Sequence, residues 1–592
     1  MSKAVKETRL LLSGDEALAR GAYEYGLKVA CAYPGTPSTE ILETLAHFRE
    51  VDTQWSVNEK VAFEVALGAA IGGVRSLYAS KHVGLNVAMD PLMTSAYTGI
   101  NAGFVAVVCD DPGLQSSQNE QDTRWVSLYG KLPMIEPASP SEAYAFVKSA
   151  FEVSEQFDTP VLLRMTTRVA HSKEDVAAGA RVEVPAKDFS VNAQKYVMVP
   201  KNAYARHLLL EERLLNLRAF SEKTPLNRVE MNSRKLGFIT SGVTDLYARE
   251  AFPDASFLKL GFVHPFCDRK IAAFAAKVKE LVVLEELDPF IEQHVRSLGI
   301  RFKAKHPSYR VGELRPEYMQ DLVAGRKKTD VPMEVRKPVL CPGCGHRFAF
   351  SALKREKAVV SGDIGCYTLA ASPPMAALHT CVCMGAGVTI HEGLRRARPN
   401  DRIVGVVGDS TFIHSGITGL INAVYNRMKG VIMILDNGTT AMTGAQNHPA
   451  TGKTIRDEPT GSLSLENLCR SCGVEHVDVI DPKETKALRE LIRKRLDGDT
   501  LSVIIARRPC WQTDRVRHNA PVVFPDKCRK CYLCLNFGCP ALVKMEDGVV
   551  TINNSYCVGC QLCAETCPFG ALVPYVPEKE PEKKKQEDRP EA

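Results

Sequence analysis

Eight cysteines lie between Cys528 and Cys567, and their spacing restricts what this part of the chain can form. They fall into two sets of similar spacing: Cys528-x2-Cys531-x2-Cys534-x4-Cys539-Pro540 and Cys557-x2-Cys560-x2-Cys563-x3-Cys567-Pro568. A tight loop with a cysteine at every third residue provides three thiolates, and the fourth ligand of a cubane cluster comes from the other set. The pattern predicts two four-iron clusters.

Each cluster therefore takes three ligands from one set and one from the other. The predicted ligands are Cys528, Cys531, Cys534 and Cys567 for the first cluster, and Cys557, Cys560, Cys563 and Cys539 for the second. A pair of zinc knuckles is the alternative, although no histidine occurs among the eight ligands. The extra residue before Cys539 leaves open whether the second set holds a complete cubane.

The remaining composition is that of a soluble globular protein. Of the 592 residues, 45% are hydrophobic and 24% are charged, and the formal net charge is +6. This charge is close to neutral for the length and gives no support for a nucleic-acid binder. No apolar run reaches the length of a membrane helix, and the N-terminus lacks a signal-peptide core, so we expect a cytoplasmic protein. In a reducing compartment, clustered cysteines indicate metal binding.

The chain before the cysteines alternates between apolar strands and amphipathic helices, which predicts an α/β fold with parallel sheets. We expect domains at 1–182, 235–330, 331–515 and 516–576, a connector at 183–234 and a disordered tail at 577–592. The helix candidates include 15–25, 59–72 and 141–157, and the strand candidates include 104–109, 160–164, 402–408 and 430–435.

Two of these strands end in polar residues that suit a metal-bound diphosphate. One ends at Gly408-Asp409-Ser410 and the other at Asp436-Asn437-Gly438, and 26 residues separate Ser410 from Asn437. This arrangement resembles the Mg²⁺–diphosphate motif of thiamine diphosphate enzymes. The resemblance implies that Asp409, Asn437 and the backbone carbonyl of Thr439 bind Mg²⁺, although Ser410 replaces the usual glycine. An ordinary turn using Asp and Asn is the alternative.

Several longer segments resemble the 2-oxoacid:ferredoxin oxidoreductases. They are Ala32-Tyr-Pro-Gly-Thr-Pro-Ser38, Trp55-Ser-Val-Asn-Glu-Lys60, Lys81-His-Val-Gly-Leu-Asn86, Ser116-Ser-Gln-Asn-Glu-Gln-Asp122, Cys341-Pro-Gly-Cys-Gly-His346, Asp363-Ile-Gly-Cys-Tyr367 and Thr439-Thr-Ala-Met-Thr-Gly-Ala-Gln446. The resemblance implies an aminopyrimidine-binding domain at 1–182, a transketolase C-terminal-like domain at 235–330, a diphosphate-binding domain at 331–515 and a ferredoxin-like domain at 516–576.

The resemblance also implies roles for individual residues. Glu59 matches the glutamate that hydrogen-bonds the aminopyrimidine, although it could also be a favourable acidic residue at a helix start. Thr36 would lie near the substrate carboxylate, or simply form a turn. Lys81 and His82 would meet the carboxylate or keto oxygen of a 2-oxoacid, or occupy a surface loop. Gly345 and His346 would contact the diphosphate.

Four further cysteines match a third cluster close to thiamine in some family members. They are Cys341, Cys344, Cys366 and Cys510. Buried free cysteines are the alternative. An iron content near twelve per chain would support a third cluster, and a content near eight would contradict it.

The activity that the resemblance implies is oxidative decarboxylation of aryl 2-oxoacids, such as indolepyruvate or phenylpyruvate, to the aryl-acetyl-CoA with electrons passed to ferredoxin. It also implies a small beta subunit and a dimer of alpha–beta pairs. Three alternatives remain: preference for pyruvate or branched-chain acids, a non-oxidative decarboxylase or carboligase with structural clusters, and an electron-transfer subunit that binds no thiamine.

Overall fold

The computed structural model describes residues 8–329 and 338–576, which form two compact units. Of these residues, the first unit holds 8–329 and Gln446–Ser462, and the second holds 338–445 and 463–576. The predicted disordered tail at 577–592 lies outside the described residues. In the described part of the chain, no helix combines the length and apolar character needed to cross a membrane.

The first unit contains thirteen strands and fourteen α-helices among its described residues. The strands are β1 (Thr8–Ser13), β2 (Val29–Ala32), β3 (Asp52–Trp55), β4 (Ser76–Lys81), β5 (Phe104–Asp110), β6 (Met134–Ile135), β7 (Val161–Thr166), β8 (Lys173–Ala178), β9 (Asn227–Glu230), β10 (Ser233–Ser241), β11 (Ala255–Leu260), β12 (Phe262–His264) and β13 (Glu280–Leu284). The helices are α1 (Gly14–Glu24), α2 (Thr39–Ala46), α3 (Glu59–Gly72), α4 (His82–Val87), α5 (Met89–Thr98), α6 (Arg124–Gly130), α7 (Pro140–Phe157), α8 (Thr167–His171), α9 (Ala193–Tyr196), α10 (Pro200–Ser221), α11 (Thr244–Ala251), α12 (Asp268–Ala275), α13 (Phe290–Ser297) and α14 (Met319–Val323).

The largest sheet of this unit has seven strands in the order β12-β6-β7-β5-β4-β2-β3. All its pairs are parallel except β12 with β6. Every residue of β4, β5 and β7 is buried, because helices cover both faces of the sheet. A second sheet has the order β13-β10-β11-β9, and β1 pairs with β8.

Two short strands lie elsewhere than the sequence pattern suggests. The predicted connector at 183–234 contributes β9, which pairs antiparallel with β11. Strand β12, from the predicted domain at 235–330, joins the seven-stranded sheet instead of its own. A third difference concerns Gln446–Ser462, which was predicted within 331–515 but belongs to the first unit.

The second unit contains nine strands and eight α-helices among its described residues. The strands are β14 (Val359–Ser361), β15 (Ile403–Gly408), β16 (Gly430–Asp436), β17 (His476–Ile480), β18 (Leu501–Arg507), β19 (Val522–Val523), β20 (Leu542–Lys544), β21 (Val550–Ile552) and β22 (Leu572–Val573). The helices are α15 (Gly345–Arg355), α16 (Ala386–Ala397), α17 (Asp409–Thr411), α18 (Ile417–Tyr425), α19 (Leu465–Ser471), α20 (Thr485–Leu496), α21 (Trp511–Asp514) and α22 (Leu562–Thr566).

The main sheet of the second unit is fully parallel, with the order β14-β15-β16-β18-β17. The C-terminal cysteine region adds two antiparallel strand pairs, β19 with β22 and β20 with β21. The predicted α/β fold class with parallel sheets is confirmed.

Candidate functional site

Three neighbouring parallel strands of the second unit end at one edge of the sheet, and each is followed by a polar residue. Asp363 comes after β14, Asp409 comes after β15, and Asn437 comes after β16. Ligands of open α/β sheets bind outside the carboxyl ends of the strands. The strand register therefore places all three side chains where a ligand binds.

Asp409 organises the loop that connects these ends. Its buried carboxylate accepts hydrogen bonds from the backbone N–H of Ser410 at 2.8 Å, of Asn437 at 3.1 Å and of Gly438 at 2.8 Å. The side-chain carbonyl of Asn437 accepts a bond from the Thr439 N–H at 3.3 Å. The three residues that the sequence predicts as Mg²⁺ ligands, Asp409, Asn437 and Thr439, thus lie in two loops joined by hydrogen bonds.

The donor set of this loop pair fits a hard divalent cation. Burial raises the pKa of Asp436 and the nearby Asp409 carboxylate raises it further, although the ion pair with Arg507 at 2.6 Å lowers it. Carboxylate, amide and backbone oxygens are the ligands that Mg²⁺ prefers, and a cation here would relieve the repulsion between the two carboxylates. The residues present therefore fit a magnesium-bound diphosphate.

Asp363 is a residue of this edge to which the sequence analysis assigned no role. Its buried carboxylate accepts bonds from the N–H groups of Ile364 at 2.7 Å, Gly385 at 3.0 Å and Gly387 at 2.7 Å. Burial raises its pKa to about 6, against the opposing effect of these bonds. The carboxylate fixes the start of α16 against the sheet. A short apolar run followed by Ser-Gly-Asp363 was the signal that could have revealed it.

His346 is the second residue of α15 and lies buried near the same edge. Burial lowers its pKa to about 4, so the imidazole is neutral at physiological pH. Its ring packs edge-on against Tyr367, with centroids 5.6 Å apart. The Tyr367 hydroxyl accepts a bond from the Gly408 N–H at 3.0 Å and donates to the Ile364 carbonyl at 2.9 Å. His346, together with Gly345, which begins α15, is therefore placed where the sequence predicts diphosphate contacts.

The structure brings the four cysteines of the predicted third set together. Burial raises the pKa of Cys344 to about 12, and its thiol is also influenced by Cys341 and Cys366. Burial likewise raises the pKa of Cys366 to about 11, with contributions from Cys510 and Cys341. The backbone N–H of Cys510 donates to the backbone carbonyl of Asn437 at 2.9 Å. This set therefore adjoins the predicted Mg²⁺ ligands.

The eight C-terminal cysteines line two separate cavities. A cavity of about 410 Å³ is lined by Cys539, Cys557, Cys560 and Cys563 together with neutral and basic neighbours. A second cavity of about 360 Å³ is lined by Cys528, Cys531, Cys534 and Cys567. These are the two groups that the sequence predicts. Gly538, directly before Cys539, adopts a left-handed φ of 61°, which glycine takes without strain.

The spacing of the thiol groups bears on the zinc alternative. Four thiolates around one tetrahedral zinc ion lie about 3.8 Å apart. In residues 8–329 and 338–576, no cysteine belongs to a group of three potential ligands whose atoms lie within 4.8 Å of one another. Iron analysis of the purified protein distinguishes zinc from iron–sulfur clusters at these sets.

The first unit has a second polar edge, at the carboxyl ends of β2, β4 and β5. Glu59 begins α3 after the Asn58 cap and is buried. Its carboxylate lies against α4, because a Cβ added to Gly84 would lie 2.5 Å from Glu59 Oε1. Tight packing on a glycine holds this carboxylate in one place at the sheet edge.

The predicted substrate residues share this edge with Glu59. The Lys81 ammonium donates to the Ser116 carbonyl at 2.8 Å, and burial lowers its pKa to about 8 despite the nearby Asp111 and Glu59 carboxylates. The Nε2 atom of His82 lies 3.2 Å from the backbone carbonyl oxygen of Asn119.

Thr36 lies in the turn after β2, beside Lys81. Its carbonyl accepts a bond from the Ser116 hydroxyl at 3.1 Å. The neighbouring Gly35 packs against the aliphatic part of Lys81, since an added Cβ would lie 3.3 Å from Lys81 Cδ. The structure therefore brings Thr36, Glu59, Lys81 and His82 to one edge rather than to separate surface loops.

Three family models match parts of this chain. Residues 20–214 match the thiamine diphosphate-binding domain model of pyruvate flavodoxin/ferredoxin oxidoreductases. Residues 363–506 match the C-terminal binding domain of thiamine pyrophosphate enzymes, and residues 550–573 match a 4Fe-4S binding domain.

Whole-length relatives give a closer comparison. The chain is 39% identical to the indolepyruvate oxidoreductase subunit IorA of Archaeoglobus fulgidus, over 96% of this chain and 97% of that protein. It is 36% identical to the IorA subunit of Pyrococcus horikoshii, over 95% of this chain and 96% of that protein. The chain belongs to the IorA family.

Membership of the IorA family confirms the predicted resemblance to the alpha subunit of a 2-oxoacid:ferredoxin oxidoreductase. As an IorA-family chain, it is one subunit of a larger enzyme, with binding domains for thiamine diphosphate and for a 4Fe-4S cluster. The 2-oxoglutarate synthase subunit KorA of Methanothermobacter thermautotrophicus is 29% identical over 29% of this chain and 48% of its own length. The predictions of Mg²⁺, of the number of clusters and of individual ligands remain predictions.

Proposed function

We propose that this IorA-family chain, together with a small second subunit, catalyses the oxidative decarboxylation of an aryl 2-oxoacid such as indolepyruvate. The acid and CoA would give the aryl-acetyl-CoA, CO₂ and a proton, and two electrons would pass to ferredoxin. The relatives that match over their whole length carry the name indolepyruvate oxidoreductase, which supports the aryl substrate. The assembled enzyme would be a dimer of such pairs.

The observation that carries this proposal is an unbroken series of cysteine sets in the second unit. Cys510 adjoins Asn437, and Gly343, between Cys341 and Cys344, lies against the loop of Cys560. A Cβ added to Gly343 would lie 3.8 Å from Cys560 Cβ. A purely structural use of the clusters does not require such a series, whereas electron removal from the diphosphate edge does.

The series continues to the last cysteine set. Burial raises the pKa of Cys563, and its thiol is influenced both by its own set and by Cys534 of the other set. The middle set, Cys539, Cys557, Cys560 and Cys563, therefore lies between the set beside Asn437 and the set that includes Cys534. We assign the outermost set as the one that serves ferredoxin.

The chain's own residues would bind the cofactor and the substrate. Thiamine diphosphate, when bound, supplies the carbanion chemistry of decarboxylation. Asp409, Asn437 and the Thr439 carbonyl would hold Mg²⁺ with the diphosphate, and Glu59 would hold the aminopyrimidine. Lys81, a buried cation with lowered pKa, would bind the carboxylate of the 2-oxoacid, with Thr36 and His82 beside it.

The test is anaerobic turnover by the co-expressed alpha and beta chains with CoA, methyl viologen or ferredoxin, and a panel of 2-oxoacids. We expect the reduction rate to be highest with aryl acids and to require both chains. A preference for pyruvate or branched-chain acids would contradict the substrate. Formation of aldehyde without an electron acceptor would instead favour the non-oxidative enzyme.

A further inference from the structure

Three potential metal ligands meet in the first unit, near the residues described above but separate from them. Asp15 lies in the first turn of α1, Glu40 in the first turn of α2, and His171 at the end of α8. One ligand atom from each lies within 4.8 Å of the others. Within residues 8–329 and 338–576, this is the one group of three such side chains at that spacing.

Asp15 is in an unusual electrostatic position. Its side chain is fully buried, and neither carboxylate oxygen has a hydrogen-bond partner. The Oε2 atom of Glu40 is also buried without a partner. Burial raises the pKa of Asp15, and the Glu40 and Glu16 carboxylates raise it further. A buried carboxyl group without a donor is costly unless a cation or a proton neutralises it.

We propose that Asp15, Glu40 and His171 bind one divalent transition-metal ion of the zinc class. Two carboxylate oxygens and one imidazole nitrogen form a ligand set that suits zinc, and three protein ligands leave coordination positions for water. Ligand atoms around zinc lie about 3–3.5 Å apart. His171 is exposed at the end of a short helix, so its imidazole can move closer to the two carboxylates until the ligand atoms reach this spacing.

The ion would join three helices close to the catalytic edge. Helix α1 packs tightly on α8, because a Cβ added to Gly14 would lie 2.0 Å from the Val169 carbonyl oxygen. Helix α2 begins at Thr39, three residues after Thr36. Thr36 itself lies in the turn that we place near the substrate. The ion would therefore stiffen that turn without touching the substrate. This inference does not depend on the proposed reaction.

The test uses the co-expressed complex, purified anaerobically with its iron content measured and treated with a chelator to remove loosely bound metal. Zinc is added at buffered free concentrations, and the bound zinc is measured by mass spectrometry. Wild type is compared with His171→Ala, with Asp15→Asn and with the control His47→Ala. His47 is an exposed histidine next to the C-terminal end of α2.

We expect wild type and His47→Ala to bind about one zinc ion per chain more than the other two variants, or to bind it at least tenfold more tightly. Zinc bound by cysteines is common to all four proteins and cancels in the comparison. Zinc should also raise the melting temperature of wild type but not of Asp15→Asn.

In zinc-free buffer, Asp15→Asn should melt no lower than wild type, because the amide needs no counter-charge. Equal zinc content and affinity in wild type and His171→Ala would overturn the proposal and leave a shared proton between Asp15 and Glu40 as the explanation.

Discussion

At the scale of single residues, Glu59 provides the sharpest test of the aminopyrimidine site. The side chain is buried and packs on Gly84, so Glu59→Gln preserves its shape while removing the charge. We expect turnover to fall by about 10²–10⁴-fold, the usual contribution of a positioned acid or base. The measurement is anaerobic viologen reduction by the complete complex.

The matched control is Glu64→Gln on the same helix. Glu64 forms an exposed ion pair with Lys60, and its loss should leave turnover unchanged. If Glu59→Gln retained the activity of this control, Glu59 would be an ordinary helix-start residue.

Lys81 leads to a prediction about pH. Burial lowers its pKa to about 8, so the ammonium is charged below this pH and loses its proton above it. If the ammonium binds the substrate carboxylate, kcat/KM for the 2-oxoacid should fall as the pH rises through about 8. In Lys81→Arg the guanidinium stays charged, so the fall should vanish even if the rate is lower. An unchanged pH profile in this variant would show that the fall in kcat/KM is not caused by deprotonation of Lys81.

What the sequence could predict at this scale depended on local spacing. The cysteines that line each cavity were predictable, because three of every four ligands occur at a fixed local interval. Asp15, Glu40 and His171 were not, since they come from three separate helices and no interval relates them. Asp363 was missed because its role depends on the N–H groups of a helix that begins more than twenty residues later.

At the scale of secondary-structure elements, local signals again decided the outcome. Helix α3 has the predicted bounds, because Asn58 caps its start and Gly73 adopts a left-handed φ of 106° at its end. Strands β9 and β12 are only four and three residues long and were missed. Their pairing with β11 and β6 is a long-range contact that a short apolar run does not encode.

The elements of the first unit also share a buried charge network that offers a stability test. Arg124, at the start of α6, is fully buried and donates to Glu285 Oε2 at 2.6 Å and to the Glu286 carbonyl at 2.8 Å. It also pairs with Asp122. Arg124→Met would remove the cation that pairs with two buried carboxylates, a loss that costs about 3–5 kcal/mol.

We therefore expect Arg124→Met to lower the temperature of the first unfolding transition markedly. The control, Arg9→Met, removes the exposed pair with Asp175 and should cost less than about 1 kcal/mol. Similar melting temperatures for the two variants would show that the network contributes little. Calorimetry can resolve the transitions of a chain with several domains.

At the scale of the whole molecule, the order of the domains along the chain was easier to predict than which residues belong to each domain. Residues Gln446–Ser462 were expected with the diphosphate-binding residues but belong to the first unit. Arg456 holds this segment there by donating to the backbone carbonyls of Ala46, Phe48 and Val51. Gln446 also donates to Glu43, and Glu458 pairs with Arg49. All these contacts join residues that are far apart in the sequence, so no local spacing reveals them.

The number of clusters is a second whole-molecule property, and iron analysis decides it. Because the structure brings Cys341, Cys344, Cys366 and Cys510 together beside Asn437, we expect about twelve iron atoms per chain. Cys344→Ser should lower this to about eight, whereas Cys472→Ser, outside all three sets, should not change it. A wild-type value near eight would show that the four cysteines are only buried thiols.

The order of the three cysteine sets gives the last prediction, which concerns the direction of electron flow. The middle set lies between the set beside Asn437 and the outermost set, so Cys560→Ser should interrupt the series at its centre. We expect 2-oxoacid and CoA to leave the outermost cluster oxidised in this variant, while dithionite still reduces it. Electron paramagnetic resonance distinguishes the two cases, and Cys472→Ser serves as the control. Reduction of the outermost cluster by substrate in Cys560→Ser would mean that electrons leave by another route, because a series of neighbouring centres cannot conduct past a missing member.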